Sequence, residues 1–210
     1  MSTWEKTAEE LRDQAQAMHE AREIGLKASR AAIQFSARSI RHVHRRQYEK
    51  AEELLAEAKG AICSAEESLA PFPNIYYAGF LHDGEKEVVE AASVLSIARG
   101  SGFPTPSELG VMPMSFLNGM GEAASECRRF ALDRMRAGDL VEASRILDAM
   151  EAVYEELITF DYSDAMTGGL RRTTDALRAV VERTRSDLTA TTSQHELVEE
   201  LKRTREALGK

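Results

Sequence analysis

Apolar side chains recur every three or four residues through most of this chain, in blocks separated by glycine and proline. That period puts them on one face of a helix instead of alternating them across a strand. Trp4, Ala8, Leu11, Ala15 and Met18 step by four and three, and Leu26, Ile33 and Ile40 follow at sevens. Together they predict a first helix of about 40 residues, longer than the globular norm and suited to a surface shared with neighbouring subunits. A second stripe, Tyr48, Ala51, Leu54, Leu55, Ala58, Ile62, Ala65 and Leu69, stops at Pro71 and Pro73. Tyr76, Tyr77, Phe80, Val88, Val89, Ala92, Leu95 and Ile97 predict a third helix from Asn74 to Ala98, after which "RGSGFPTPSELG" reads as a loop. The fourth begins between Met112 and Ser115 and ends at Gly138, where Asp139 is placed to cap the fifth. "FDYSDAMTGG" interrupts the fifth pattern; Leu170, Leu177, Val180, Val181 and Leu188 make a sixth, and Ser193 is placed to cap a seventh from Gln194 to Leu208. No segment shows strand alternation bounded by turns, so the expectation is an all-α bundle of seven helices in one domain, residues 1–210.

At 210 residues and 43% hydrophobic content, the chain is long enough for one sizeable core. Its apolar runs fall short of the ~18 residues a membrane span needs, and the start, "MSTWEKTAEELRD", is charged, so a cytoplasmic protein without a membrane partner is expected. Cys63 and Cys127, each in an apolar stripe, predict buried, reduced thiols instead of a disulfide. The formal charge of -8 argues against wholesale coating of a polyanion, but it is unevenly spread. From Lys27 to Lys50 the chain carries Lys27, Arg30, Arg38, Arg41, Arg45, Arg46 and Lys50 with His42 and His44, against Glu49 as the single acid. Such a strip is either a solvated or subunit-facing side of the first helix or a place for phosphates.

Four acids change the picture further. Glu87 with Glu90, and Glu122 with Glu126, sit at helical spacing inside segments that otherwise read as buried. Like charges so placed are unfavourable without something positive between them. Either each glutamate meets an Arg or Lys across the bundle, with Arg128 and Arg129 close at hand, or the pairs face each other and hold Mg²⁺ or Mn²⁺, which prefer oxygen ligands. A metal held there, beside a basic strip, suits phosphodiester hydrolysis. Competing chemistries lack their residues: no His lies three positions after a Glu as a di-iron bundle requires, and there is no phosphate loop, dinucleotide fingerprint, GxSxG elbow or zinc spacing.

Four stretches in order resemble the translin superfamily, and within it the translin-associated factor X (Trax) branch. They are "KASRAAIQFSARSIRHVHR" from Lys27, "HDGEKEVVEAAS" from His82, "SFLNGMGEAASECRRFALDRMRAGD" from Ser115 and "GGLRRTTDALRAVVERTRSDLT" from Gly168. The resemblance implies a seven-helix fold that assembles into octameric barrels, alone or with a translin-like chain, and binds single-stranded RNA and DNA. In Trax-like members it further implies a Mg²⁺-dependent endoribonuclease site. Glu87 and Glu90 match the paired acids of that site directly. Glu122 falls where the pattern has Asp, and Glu126 matches the Glu four residues on. Glu87, Glu90 and Glu122 are thereby expected as metal ligands, with Glu126 as ligand or general base. Arg30, Arg38, Arg41, His44 and Arg45 are expected to bind nucleic acid, although Phe35 stands where an acid is usual. The alternative is a non-catalytic ring whose acids form interhelical salt bridges.

Overall fold

A computed structural model describes residues 2–209, and every regular element among them is helical. Six helices are long: α1 Thr3–His44, α2 Tyr48–Leu69, α4 His82–Arg99, α6 Pro113–Arg136, α7 Leu140–Leu157 and α9 Leu170–Ala207. Three are single turns between them: α3 Pro73–Tyr76, α5 Pro106–Leu109 and α8 Asp164–Thr167. The seven expected helices differ from those found at two places, each with a local cause, and two of the single turns, α5 and α8, form in segments expected as a loop and an interruption. The expected third helix is cut by a turn at 77–81, where Gly79 takes φ 92°, a left-handed value that L side chains resist. The expected sixth and seventh are one helix. The hydroxyls of Thr189 and Thr191 bond back to the carbonyls of Arg185 and Asp187 inside α9, so the polar run around Ser193 continues the helix instead of opening a new one.

Local signals set the other boundaries. Ser2 and Glu5 form a capping box on α1, Thr105 and Glu108 do so on α5, and Asp139 accepts the Glu142 amide to start α7. The main core joins α4, α6, α7 and α9 with the end of α1 and the start of α2, through residues such as Val89, Leu95, Ala124, Phe130, Ile146, Met150 and Leu177. Ala32, Ala58, Ile62 and Val88 form a smaller core between α1, α2 and α4. Cys127 is buried as expected, whereas Cys63 is exposed on α2; both thiols are free. The outer ends of the two longest helices carry exposed apolar side chains, Trp4 and Leu11 on α1 and Leu197, Val198 and Leu201 on α9. Among the described residues, no helix is long and apolar enough to cross a membrane.

Helix α4 is central, with Gly84, Glu85, Val88, Val89 and a run from Ala91 to Leu95 all buried. It meets α6 at Gly119, where an added Cβ would lie 2.6 Å from the Lys86 carbonyl and 2.6 Å from the Val89 Cβ. Only hydrogen fits there. Gly60, in the interior of α2, has nothing within 4 Å. The two glycines should respond oppositely to alanine. Gly60→Ala gains the helix propensity that glycine lacks, about 0.5–1 kcal/mol, whereas Gly119→Ala forces α4 off α6 and loses about 1–3 kcal/mol. Urea unfolding of the two variants measures both signs, and a Gly119→Ala protein as stable as Gly60→Ala would contradict the close contact.

Candidate carboxylate centre and nucleic-acid surface

Because α4 and α6 touch at Gly119, the acids that follow on each helix are brought together. Glu87 and Glu90 on α4 are half-buried, as are Glu122 and Glu126 on α6. Burial pushes the Glu90 carboxyl up to about 8, reinforced by the charges of Glu87, Glu122 and Glu126 in turn. Glu87 is raised as well, by burial first and then by Glu122. The four expected site residues thus share one electrostatic neighbourhood.

Their immediate partners divide them. Lys86 Nζ lies 2.9 Å from Glu122 Oε1 and 3.7 Å from Asp83, and His44 Nε2 lies 2.6 Å from Glu126 Oε1. Glu87 and Glu90 form no ion pair among the described residues. The arginines beside the cluster are not its counterions. Arg128 reaches away to Thr184 and Asp187 of α9, at 3.0 and 2.7 Å, and Arg129 is exposed with no ion pair among the described residues. Among the described residues, no three His, Cys, Asp or Glu side chains converge as a ready-made metal site. The four glutamates nonetheless offer what a hard divalent cation prefers, carboxylate oxygens in a local excess of negative charge. For Glu122 to act as a ligand, a metal must replace Lys86 on its oxygen.

A fifth acid belongs to the same region. Glu85 is wholly buried, accepts a hydrogen bond from the Ser115 hydroxyl and leaves its Oε1 without a hydrogen bond among the described residues. Burial raises its carboxyl to about 7. Ser115 also meets His82 Nδ1 at 3.0 Å, and burial, with Lys86 nearby, lowers the His82 value. Sequence reasoning passed over Glu85, yet it shares a stripe with Val88, Val89 and Ala92 at three, four and seven residues, the spacing of a buried face.

The basic strip lies elsewhere. On α1 the buried positions include Gly25, Ser29, Ala32, Ser36, Ser39 and Val43, while Lys27, Arg30, Gln34, Arg38 and Arg41 fall within an arc of about 80° on the opposite side. Arg30, Arg38, Arg41 and Arg45 are exposed and form no ion pair among the described residues, and Arg38 sits 6.0 Å from the Phe35 ring centre. His44 is the exception: its Nδ1 is buried and its Nε2 is on Glu126, so it joins the acid cluster and not the exposed strip.

No family model matches the chain. An uncharacterized protein of Methanocaldococcus jannaschii is 32% identical over 184 residues, covering 87% of this chain and 81% of that protein. The crystal structure of AfC3PO matches at a TM-score of 0.81 and 35% identity, over 90% of this chain and 98% of that one. AfC3PO in complex with duplex RNA matches equally well, over 90% and 97%. Apo-NeC3PO shares the fold at a TM-score of 0.78 and 21% identity, over 88% and 96%. An all-α bundle of this kind, with a long first helix, is of the C3PO type. The chain belongs to the translin superfamily.

The raised carboxyls fix a pH response. Glu85 and Glu90 hold protons in the folded chain at pH values where the unfolded chain, near its ordinary 4.5, has lost them. Unfolding free energy therefore falls as pH rises through about 7 and 8. His82, lowered from 6.5, opposes this only below that value, so the range above it isolates the carboxyls. Between about pH 6.5 and 9, metal-free protein should lose on the order of a few kcal/mol, some 2–4 °C of Tm for each at this size. Glu90→Gln should flatten the curve; a wild-type Tm that rises across this range would contradict the burial of these acids.

Proposed function

We propose that this chain is a Trax-like, Mg²⁺-dependent endoribonuclease that binds and cleaves single-stranded RNA at the carboxylates between α4 and α6. The observation that carries the reading is the state of Glu87 and Glu90: half-buried, without an ion pair among the described residues, and pushed toward protonation by burial first and then by the neighbouring acids. A divalent cation relieves that repulsion. Glu87, Glu90 and Glu122 are the residues proposed to hold Mg²⁺ or Mn²⁺, which would supply charge neutralisation at the phosphate and an activated water. Glu126, fixed by His44 at 2.6 Å, is the proposed general base, or a further ligand. His44 orients that carboxylate and keeps it available for the proton. Lys86 neutralises Glu122 until a metal does so.

Membership of the translin superfamily, and the duplex RNA bound by AfC3PO, support nucleic acid as the partner. Arg30, Arg38, Arg41 and Arg45 are proposed to contact phosphates, with single-stranded DNA as a second ligand. The exposed apolar residues on the outer turns of α1 and α9 support assembly into an oligomer, proposed as an octameric barrel formed alone or with a translin-like chain. Two free thiols accord with a cytoplasmic setting. A second reading rests on the pairs that Lys86 and His44 make with Glu122 and Glu126. In it the acids serve as interhelical bridges of a ring that binds nucleic acid without cutting it.

The two readings separate on labelled single-stranded RNA incubated with and without Mg²⁺. Cleavage should require the metal and fall at least about a hundredfold in Glu87→Ala, Glu90→Ala, as expected when a metal that activates the nucleophile is lost. Intact RNA with wild type, or equal cleavage by the variant, would leave only the ring. Binding is measured separately, in EDTA. Arg38→Ala, Arg41→Ala should reduce the slope of log Kd against log salt by about 1.4, two single-strand phosphate contacts. An unchanged slope would remove the α1 strip from the interface.

A further inference from the structure

The α1 strip leaves a gap in the account of substrate binding. Its arginines occupy the side of α1 opposite the buried face, and none of them meets a carboxylate of the cluster. Something else must seat the phosphates next to the acids. Two clefts meet there. One, of about 510 Å³, opens between α4, α6 and the Gly168–Gly169 turn that starts α9, and it includes Glu122, Ser125 and Arg172. The other, of about 410 Å³, runs on along α6 and includes Ser125, Glu126, Arg129 and Arg136. Ser125 is common to both, so they form one groove along α6 with Glu122 and Glu126 at its middle. From Asn118 to Arg136 it extends about 27 Å at 1.5 Å per residue, room for roughly eight stacked nucleotides.

Charge along the groove is asymmetric in a way that counting acids and bases hides. Each acid lining it already has a partner: Asp83 and Glu122 have Lys86, Glu126 meets the His44 ring, and Asp133 has Arg136 at 3.7 Å. Arg129 and Arg172 have no ion pair among the described residues, and both are exposed. They stand on opposite sides of the carboxylates, Arg172 in the first cleft and Arg129 in the second. Guanidinium groups left without an acid are the natural partners of phosphate oxygens.

We propose that the α6 groove is a second nucleic-acid-binding site, distinct from the α1 strip, in which Arg172 and Arg129 hold backbone phosphates on either side of Glu122 and Glu126. It rests on the functional reading above and adds the path of the strand: past Arg172, across the carboxylates, and on past Arg129 toward Arg136. The acids then face the phosphodiester between the two anchored phosphates. Arg172 and Arg129 are positioning residues and take no part in proton transfer.

The test uses the full chain in EDTA, so that no RNA is cut, with a fluorescein-labelled single-stranded RNA read by anisotropy over a salt series. Arg129→Ala, Arg172→Ala should lower the salt slope by about 1.4 and weaken binding at low salt about tenfold or more. Both side chains are exposed and have no ion pair among the described residues, so the variant should keep the wild-type Tm. In parallel, RNA carrying 4-thiouridine is photocrosslinked to wild type and the labelled peptides are mapped. Peptides from 118–136 and 169–176 are expected. An unchanged slope in the groove variant together with crosslinks confined to α1 overturns the groove while leaving the functional reading intact; no salt-sensitive binding by wild type overturns both.

Discussion

The contact between α4 and α6 is the constraint on which the rest of this molecule depends. It closes so tightly at Gly119 that no side chain fits between the Lys86 carbonyl and Val89. Closeness at that point holds together the turns that carry Glu87 and Glu90, at and just after the contact on α4, and Glu122 and Glu126, just after it on α6. An apolar contact thus forces together groups that repel. The consequences are visible in the raised Glu87 and Glu90 carboxyls, in Lys86 folded onto Glu122, and in His44 drawn from the end of α1 onto Glu126. Stability is given up locally so that charge is concentrated, a pattern common at functional sites.

Much of the architecture was legible because helix period, caps and breakers are local properties. The 3.6-residue stripes predict the six long helices, and Asp139 caps α7 as its spacing implies. The differences come where a local signal has two outcomes. Ser193 and its threonine neighbours are good caps, but the same hydroxyls also bond backward within a helix, and in α9 they do. Gly79 is one residue in an otherwise helical stretch, and its left-handed φ decides that α3 and α4 are separate. For these reasons the seven expected helices become six long helices and the single turn α3; α5, started by the Thr105–Glu108 capping box, and α8 are further single turns in segments expected to be irregular.

The candidate site was legible by halves. Spacing showed that each glutamate pair shares a face, and nothing in spacing shows which helix that face meets. That Lys86 and His44 pair with Glu122 and Glu126, in place of Arg128 or Arg129, depends on how α1, α4 and α6 are arranged in space. His44, read with the basic strip, lies a little around the helix from the arginines, and that small rotation moves it from the exposed side to the acids. Glu85 was missed because it looks like one more surface acid in "GEKE", although its register with Val88, Val89 and Ala92 marks a buried face. The groove on α6 has no sequence signature, being made by the approach of α4 and the start of α9 to a helix whose own arginines look unremarkable.

The central claim is that the acids between α4 and α6 are assembled to hold a divalent cation, and the most direct measurement is an anomalous difference map from crystals soaked in Mn²⁺ above the pH at which Glu90 ionises, about 8. The account predicts a peak bounded by Glu87, Glu90 and Glu122, with Lys86 moved off the Glu122 oxygen that it contacts at 2.9 Å without the metal. A map with no peak there, and Lys86 still seated on Glu122, would contradict it.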